Sequence, residues 1–275
     1  MRLNFMRYAH IIEQVSRKPW AILPESHAAI CALIERKLKG ETVAAEREGA
    51  FGEDLPSMTI ENGIAYIPVH GILARGVSAI EKSCGVCDYC DIESDVIEAR
   101  NNAAVEGIVL DIDSPGGAVN GLYECSAEIK TASEMKPVVC HTSGNMCSAA
   151  YHLAVSGSAV TATPSSTVGS VGCIIQVLDE SKAFEMAGYK METFRSDPMK
   201  AIGARGTSLT DSQKEFLQAV VDEAANEFKQ HVRHNRRSIE ESALDGRVFT
   251  AATAKRLKLI DEVVGSLAEA ARLIK

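Results

Sequence analysis

What most constrains this chain is the charge it lacks in one stretch. From Pro137 to Leu178 there is no Asp, Glu, Lys or Arg, a run of 42 residues. A segment of that length avoids charge when its backbone is withdrawn from water, in a membrane or in a protein core. The membrane reading fails on composition. The run is full of Ser, Thr, Gly, Asn and Pro and holds His141 and His152, so no window of about 20 residues is solidly apolar. It reads as buried backbone with small residues where segments pack closely, and function is expected there.

The remainder of the 275 residues supports such a core. Hydrophobic residues make up 46% and charged residues 24%, which excludes wholesale disorder and a disulfide-stapled miniprotein. Lys+Arg 29 against Asp+Glu 37 leaves a net charge of −8, with no basic footprint for nucleic acid. The apolar run in Met1 to Leu23 is broken by Glu13, Gln14 and Arg17, so neither a secretory signal nor a membrane anchor is expected. The eight cysteines are accordingly expected as reduced thiols in a cytoplasm.

Residues 1–55 read as an N-terminal helical arm and linker, and residues 56–275 as the main domain. A helix is expected over Tyr8–Val15 and another over Ser26–Lys39, followed by a charged linker at Glu41–Pro56. Trp20, alone in the arm, reads as an anchor against a partner or the core. Within the domain, Gly107–Asp113 is a nearly continuous apolar run of the kind buried in parallel sheets. Helices are expected over Ile92–Ala103, Leu122–Met135 and Ser148–Val155, alternating with strands at Ile64–His70, Val138–His141 and Ala159–Ala162. Such alternation is the mark of βαβ units. The spacing also predicts a long helix from Asp211 to about Arg233, opened by the capping box Thr210-Asp-Ser-Gln213, with Phe216, Leu217, Val220, Val221, Ala224 and Phe228 on one face.

Two turns carry chemistry. Asp113-Ser-Pro-Gly-Gly117 follows a buried strand, and its adjacent glycines can aim backbone N–H groups into a cleft, toward an anion or a developing oxyanion. Gly144-Asn-Met-Cys-Ser-Ala-Ala-Tyr151 is a strand-to-helix turn with Ser148 at the helix start, where a serine serves equally well as an N-cap or as a nucleophile. A nucleophile needs a base. His152 sits one helical turn away in poor geometry, and nothing in the context of His70 or His141 recommends them. Lys200, in Pro198-Met-Lys-Ala-Ile-Gly203 after an expected apolar strand, is the other kind of group that can take a serine proton, provided it is uncharged.

Five motifs in order, Gly107-Ile-Val-Leu-Asp-Ile-Asp-Ser-Pro-Gly-Gly117, Cys147-Ser-Ala-Ala-Tyr151, Val168-Gly-Ser-Val-Gly172, Lys200-Ala-Ile-Gly203 and Gly246-Arg-Val-Phe-Thr250 with Leu259-Ile-Asp261, resemble the signal peptide peptidase A (protease IV) family of serine peptidases over roughly residues 60 to 265. The resemblance implies an α/β, ClpP/crotonase-like spiral of βαβ units. It also implies a Ser–Lys dyad of Ser148 and Lys200, oxyanion donors at Gly117 and Ala149, and Ser170 holding the lysine. It further implies peptide or protein substrates, no cofactor, and a homo-oligomeric ring whose protomers share the site. Within the family the chain is most similar to the soluble capsid-assembly proteases of tailed phages and prophages, through Lys18-Pro-Trp-Ala-Ile-Leu-Pro24 and the expected lack of an anchor. That implies capsid, portal or scaffold partners and a place in the cytoplasm or the phage prohead. The alternatives are a cellular signal-peptide-degrading peptidase, a crotonase-like acyl-CoA enzyme and a catalytically silent assembly protein. Cys84, Cys87 and Cys90 form a CxxCxxC whose thiols, with Cys125 as a fourth, have a spacing that can hold a metal. The reading preferred is free thiols in a surface loop.

Overall fold

The computed structural model describes residues 18–38, 58–78, 81–82 and 85–274. The helix expected over Tyr8–Val15, the linker at 41–56 and the boundary at 55/56 lie outside the described residues.

The largest sheet is built from β2 (Thr59–Glu61), β3 (Ile64–His70), β6 (Gly107–Asp113), β8 (Val138–Thr142), β10 (Ala159–Ala162) and β13 (Glu262–Val263). Its order is β13-β10-β8-β6-β3-β2. Every pair is parallel except β2 with β3. Parallel neighbours need crossovers, and helices supply them. α2 (Tyr89–Asn101) precedes β6, and α3 (Leu122–Met135) joins β6 to β8. β6 has neighbours on both edges, and its Ile108, Leu110 and Ile112 have no exposed surface. Each such side chain contributes about 1.5–3 kcal/mol by leaving water. α3 buries Leu122, Cys125, Ser126, Ile129 and Ala132, spaced to lie on one helical face.

Two smaller sheets frame the chemistry. One, in the order β1-β7-β4-β5, contains β1 (Trp20–Ile22), β4 (Ile72–Ala74), β5 (Val86–Asp88) and β7 (Gly116–Ala118). The other joins β9 (Asn145–Cys147), β11 (Thr167–Gly169) and β12 (Val248–Thr250). Between β9 and β10 lies the short helix α4 (Ala149–Ala154). α1 (Pro24–Leu38) follows β1, so the arm holds the expected second helix and, before it, a strand the sequence did not announce. Trp20 lies in the interior, with 4% of its surface exposed.

After β11 the chain loosens. α5 (Ser181–Met186) is short, and no strand precedes Lys200, contrary to expectation. Residues 185–200 are all exposed, so among the described residues no neighbouring edge fixes an extended segment there. α6 (Asp211–Asn235) is capped as expected, with Thr210 and Gln213 bonding reciprocally. Its apolar face is only half used: Ala224, Phe228 and Val232 are buried, whereas Phe216 is 49% exposed, with no described element covering its side of the first turns. α7 (Ala251–Arg256) and α8 (Leu267–Ala271) close the chain against the sheets.

Candidate active site

β9 ends at Cys147 and α4 begins at Ala149, which forces Ser148 into a sharp corner. Its φ of 54° and ψ of −117° are rarely adopted by a residue with a side chain. Neighbours hold the corner in place. Ser148 N–H donates to Gly169 O at 2.7 Å, and Ser148 O accepts from His152 N–H at 2.9 Å. The Ser148 hydroxyl points at Gly172 O across a long 3.4 Å contact, and the residue has no exposed surface.

The glycine turn is sewn to the same corner. Ser114 N–H donates to Asn145 O at 2.7 Å, and Cys147 N–H donates to Ser114 O at 3.2 Å. Close approach dictates the glycines themselves. A Cβ on Gly117 would lie 2.0 Å from Leu73 O, in the backbone of β4. A Cβ on Gly116, whose φ is 104°, would lie 2.2 Å from Ala21 O and 3.0 Å from Ser148 Cβ. Gly117 and Ala149 thus stand on the two segments that meet at Ser148. Ala149 opens α4, and its N–H finds no acceptor among the described residues. A free N–H at a helix start beside a hydroxyl suits a developing oxyanion.

Among the described residues, no histidine bonds the serine hydroxyl. His70 Nε2 bonds Asp111 Oδ2 at 3.2 Å, and that bond raises the His70 pKa. His141 bonds Thr161 through Nδ1 at 2.9 Å, and burial lowers its pKa. His152 stacks on His231, with ring centroids 3.9 Å apart, and lies against Phe228 and Tyr123. Both His152 ring nitrogens lack a partner among the described residues. Burial lowers the His152 pKa well below its usual value, and it brings His231 down to about 4.

Lys200 lies on a single 3-10 turn, Pro198–Ala201, fixed by Asp197 Oδ1 accepting from Met199 N–H at 2.9 Å and by Gln213 Nε2 donating to Pro198 O at 2.7 Å. Its side chain is exposed and makes no hydrogen bond or ion pair among the described residues, so one chain does not join it to Ser148. Ser170, with φ 55°, is buried two residues before Gly172, its N–H donating to Arg247 O at 2.7 Å. The structure therefore gathers Gly117, Ser148, Ala149 and Ser170 and leaves Lys200 apart.

The thiols are set differently. Burial pushes Cys147, beside the serine, up to about 12, a poor state for a nucleophile. Cys87 is buried and also raised to about 12, Cys90 is half-buried, and Cys84 lies outside the described residues. No group of three metal-ligating side chains occurs among the described residues. Among them, too, no helix is long and apolar enough to cross a membrane.

Sequence reasoning missed β1. Its signal was Trp-Ala-Ile-Leu held between Pro19 and Pro24, since prolines at both ends favour an extended segment over a helix through it.

A strained serine at a strand–helix corner, facing a two-glycine turn in an α/β frame, defines the layout of a serine hydrolase. The chain belongs to peptidase family S49, whose model matches residues 130–275. It is 30% identical over 212 residues to capsid assembly protease C of Escherichia phage lambda, covering 76% of this chain and 48% of that protein. It is also 30% identical over 173 residues to the head-tail preconnector protein GP5 of Enterobacteria phage P21, covering 63% and 34% respectively. A putative signal peptide peptidase SppA of Enterococcus faecium is 25% identical over 252 residues, covering 85% of this chain and 72% of that protein. The chain thus spans half or less of the two phage proteins. Similar solved structures include the ClpP protease catalytic domain from Plasmodium falciparum, at 14% identity and a TM-score of 0.40, covering 74% of this chain and 86% of that one. An enoyl-CoA hydratase/isomerase family protein from Silicibacter pomeroyi is similar at 11% identity and a TM-score of 0.44, covering 80% and 79%. The α/β assignment rests on the strand order itself.

Proposed function

We propose that the protein is a serine endopeptidase working through a Ser148–Lys200 dyad that two protomers complete. The observation that carries this is Ser148, strained and buried between Gly117 and the free N–H of Ala149. Ser148 Oγ attacks the scissile carbonyl, and its proton passes to an uncharged Lys200 Nζ supplied by a neighbouring copy. The Gly117 and Ala149 N–H groups hold the oxyanion. As the tetrahedral intermediate collapses, the peptide C–N bond breaks and the amine leaves with the proton held by Lys200. Water then hydrolyses the acyl-enzyme, and Ser148 regains its proton. On this reading Ser170, buried two residues before Gly172, positions the incoming lysine.

The exposed lysine turn supports the sharing of the site. Met186 is 90% exposed and Phe194 97%, on the arm that leads to Lys200. Apolar side chains so placed suit an interface between copies of a ring. The phage relatives support capsid or scaffold proteins as substrates during head assembly, within the host cytoplasm or the prohead. A peptidyl phosphonate tests the nucleophile: digestion and mass spectrometry should place the adduct on Ser148. An adduct on Cys147 would overturn the assignment.

A further inference from the structure

β1 runs antiparallel along β7, with Trp20 opposite Ala118, Ala21 opposite Gly117 and Ile22 opposite Gly116. Val119 N–H donates to Pro19 O at 3.3 Å, and Leu23 N–H donates to Pro115 O at 3.0 Å. Bonded pairs recur at every second residue of an antiparallel ladder, so Ala21 and Gly117 are the bonded pair between those two. The Ala21 carbonyl thus accepts from Gly117 N–H, one of the two proposed oxyanion donors. The strand's other edge is bonded as well. Trp20 N–H donates to Ile174 O at 2.9 Å, and Ile174 N–H donates to Trp20 O at 2.8 Å.

The serine lies against this strand. Ala21 O, Ile22 Cα and Ser148 Cβ all crowd the one point where a Gly116 side chain would start. Ala21 and Ser148 both have no exposed surface. The following helix is latched too: His27 Nδ1 bonds Gln176 Oε1 at 2.8 Å, just beyond Ile174. An extended segment bonded on both edges, with one carbonyl on an oxyanion donor beside the nucleophile, has the geometry of the acyl side of a bound peptide.

We propose that residues 19–23 are an intramolecular occupant of the substrate cleft, bound as the acyl side of a substrate is, and that a peptide enters only when this strand leaves. The proposal rests on the catalytic reading above. It also defines the peptide class that fits. The residue donating the scissile carbonyl is small, as Ala21 is, and the one before it is large and apolar. Trp20 in that place clusters with Ile22 and Ala118, and Ile30, Cys31, Ile72 and Ile174 pack against that cluster.

The test needs no catalysis. In the full chain carrying Ser148→Ala, a fluorescein-labelled peptide of residues 18–24 is titrated and its polarisation followed. Adding Ala21→Pro removes a ladder N–H, and adding Trp20→Ala removes the anchor. Each should tighten peptide binding about tenfold or more, because occupancy of the cleft lowers apparent affinity by the fraction of open chains. Equal affinity in all three chains, or none in any, overturns the occupancy. Failure of Ser148 to take the phosphonate in a chain carrying Trp20→Ala alone, where the cleft is opened, is a separate result, which removes the catalytic reading and leaves the binding comparison standing. Cleavage after Ala21 in the native chain, absent with Ser148→Ala, supports the same placement.

Discussion

Every residue from 146 to 156 is buried, and every residue from 185 to 200 is exposed. The first segment carries the candidate nucleophile and the second the candidate base. The serine corner gets its geometry from within one chain, through bonds to Gly169 and His152 and contact with Gly116. Among the described residues, the lysine turn is hydrogen-bonded to its own neighbours and to Gln213. On the proposed reading, the serine half of the site is organised within one chain, and the lysine half would be completed by a second copy.

The widest break in that comparison comes from the two residues themselves. Ser148→Ala should lower peptide hydrolysis by about a thousandfold or more while the thermal transition stays sharp. Lys200→Ala and Lys200→Arg should fall as far, since arginine keeps its proton. Unfolding the Ser148→Ala and Lys200→Ala chains together and reassembling them then decides where the lysine comes from. A shared site should recover about a quarter of native activity, because roughly that fraction of cyclic junctions joins an intact serine to an intact lysine. A silent mixture, with mixed assemblies seen by native mass spectrometry, places both residues within one protomer.

Next in size is the packing of the serine half. Gly117→Ala drives a methyl into the backbone of β4 and should cost about 3 kcal/mol in denaturant unfolding. Native stability there would show that the turn is looser than its 2.0 Å approach to Leu73 O implies.

A similar effect comes with acid. His231 Nε2 lies within hydrogen-bonding reach of Ser126 Oγ, Ser156 Oγ and His152 O, and burial brings its pKa down to about 4. Its folded pKa lies below the unfolded value of about 6.5, so the unfolded chain takes up the proton first. Stability should therefore be unaffected above about pH 6.5 and fall by about 3 kcal/mol as pH drops toward 4. His231→Gln should flatten the lower part of that profile in melts taken at a series of pH values. An unchanged slope would assign the acid sensitivity to other groups.

The smallest expected effect is on the lysine side. Phe194→Ser should change the stability of an isolated chain by less than about 0.5 kcal/mol, since the ring touches little. Its consequence belongs to assembly, read as a shift to smaller species in sedimentation. If assembly is unaffected, the exposed arm is not the interface.

Much of this frame was legible in the residues. α3 runs over Leu122–Met135 as its spacing requires, and the capping box marks the start of α6. The corner at Ser148 could be placed because a strand-to-helix change and a pair of glycine turns leave local marks. The apolar face of α6 misled: Phe216 has the right spacing but stands 49% exposed among the described residues.

What the sequence by itself determined is whatever nearest neighbours along the chain dictate. That covers the α/β alternation, the uncharged core segment, the helix ends, the glycine turns and the serine at a helix start. Each is a matter of backbone preference and burial period, written within a few residues. Only the tertiary structure decided that Trp20–Ile22 forms a strand on the glycine turn and that Lys200 stands clear of Ser148. Both outcomes depend on pairing between segments far apart in the chain. A three-residue strand has too few positions to show a period, so Pro19 and Pro24 mark an extended segment without naming its partner, and an exposed turn is shaped by what it later meets.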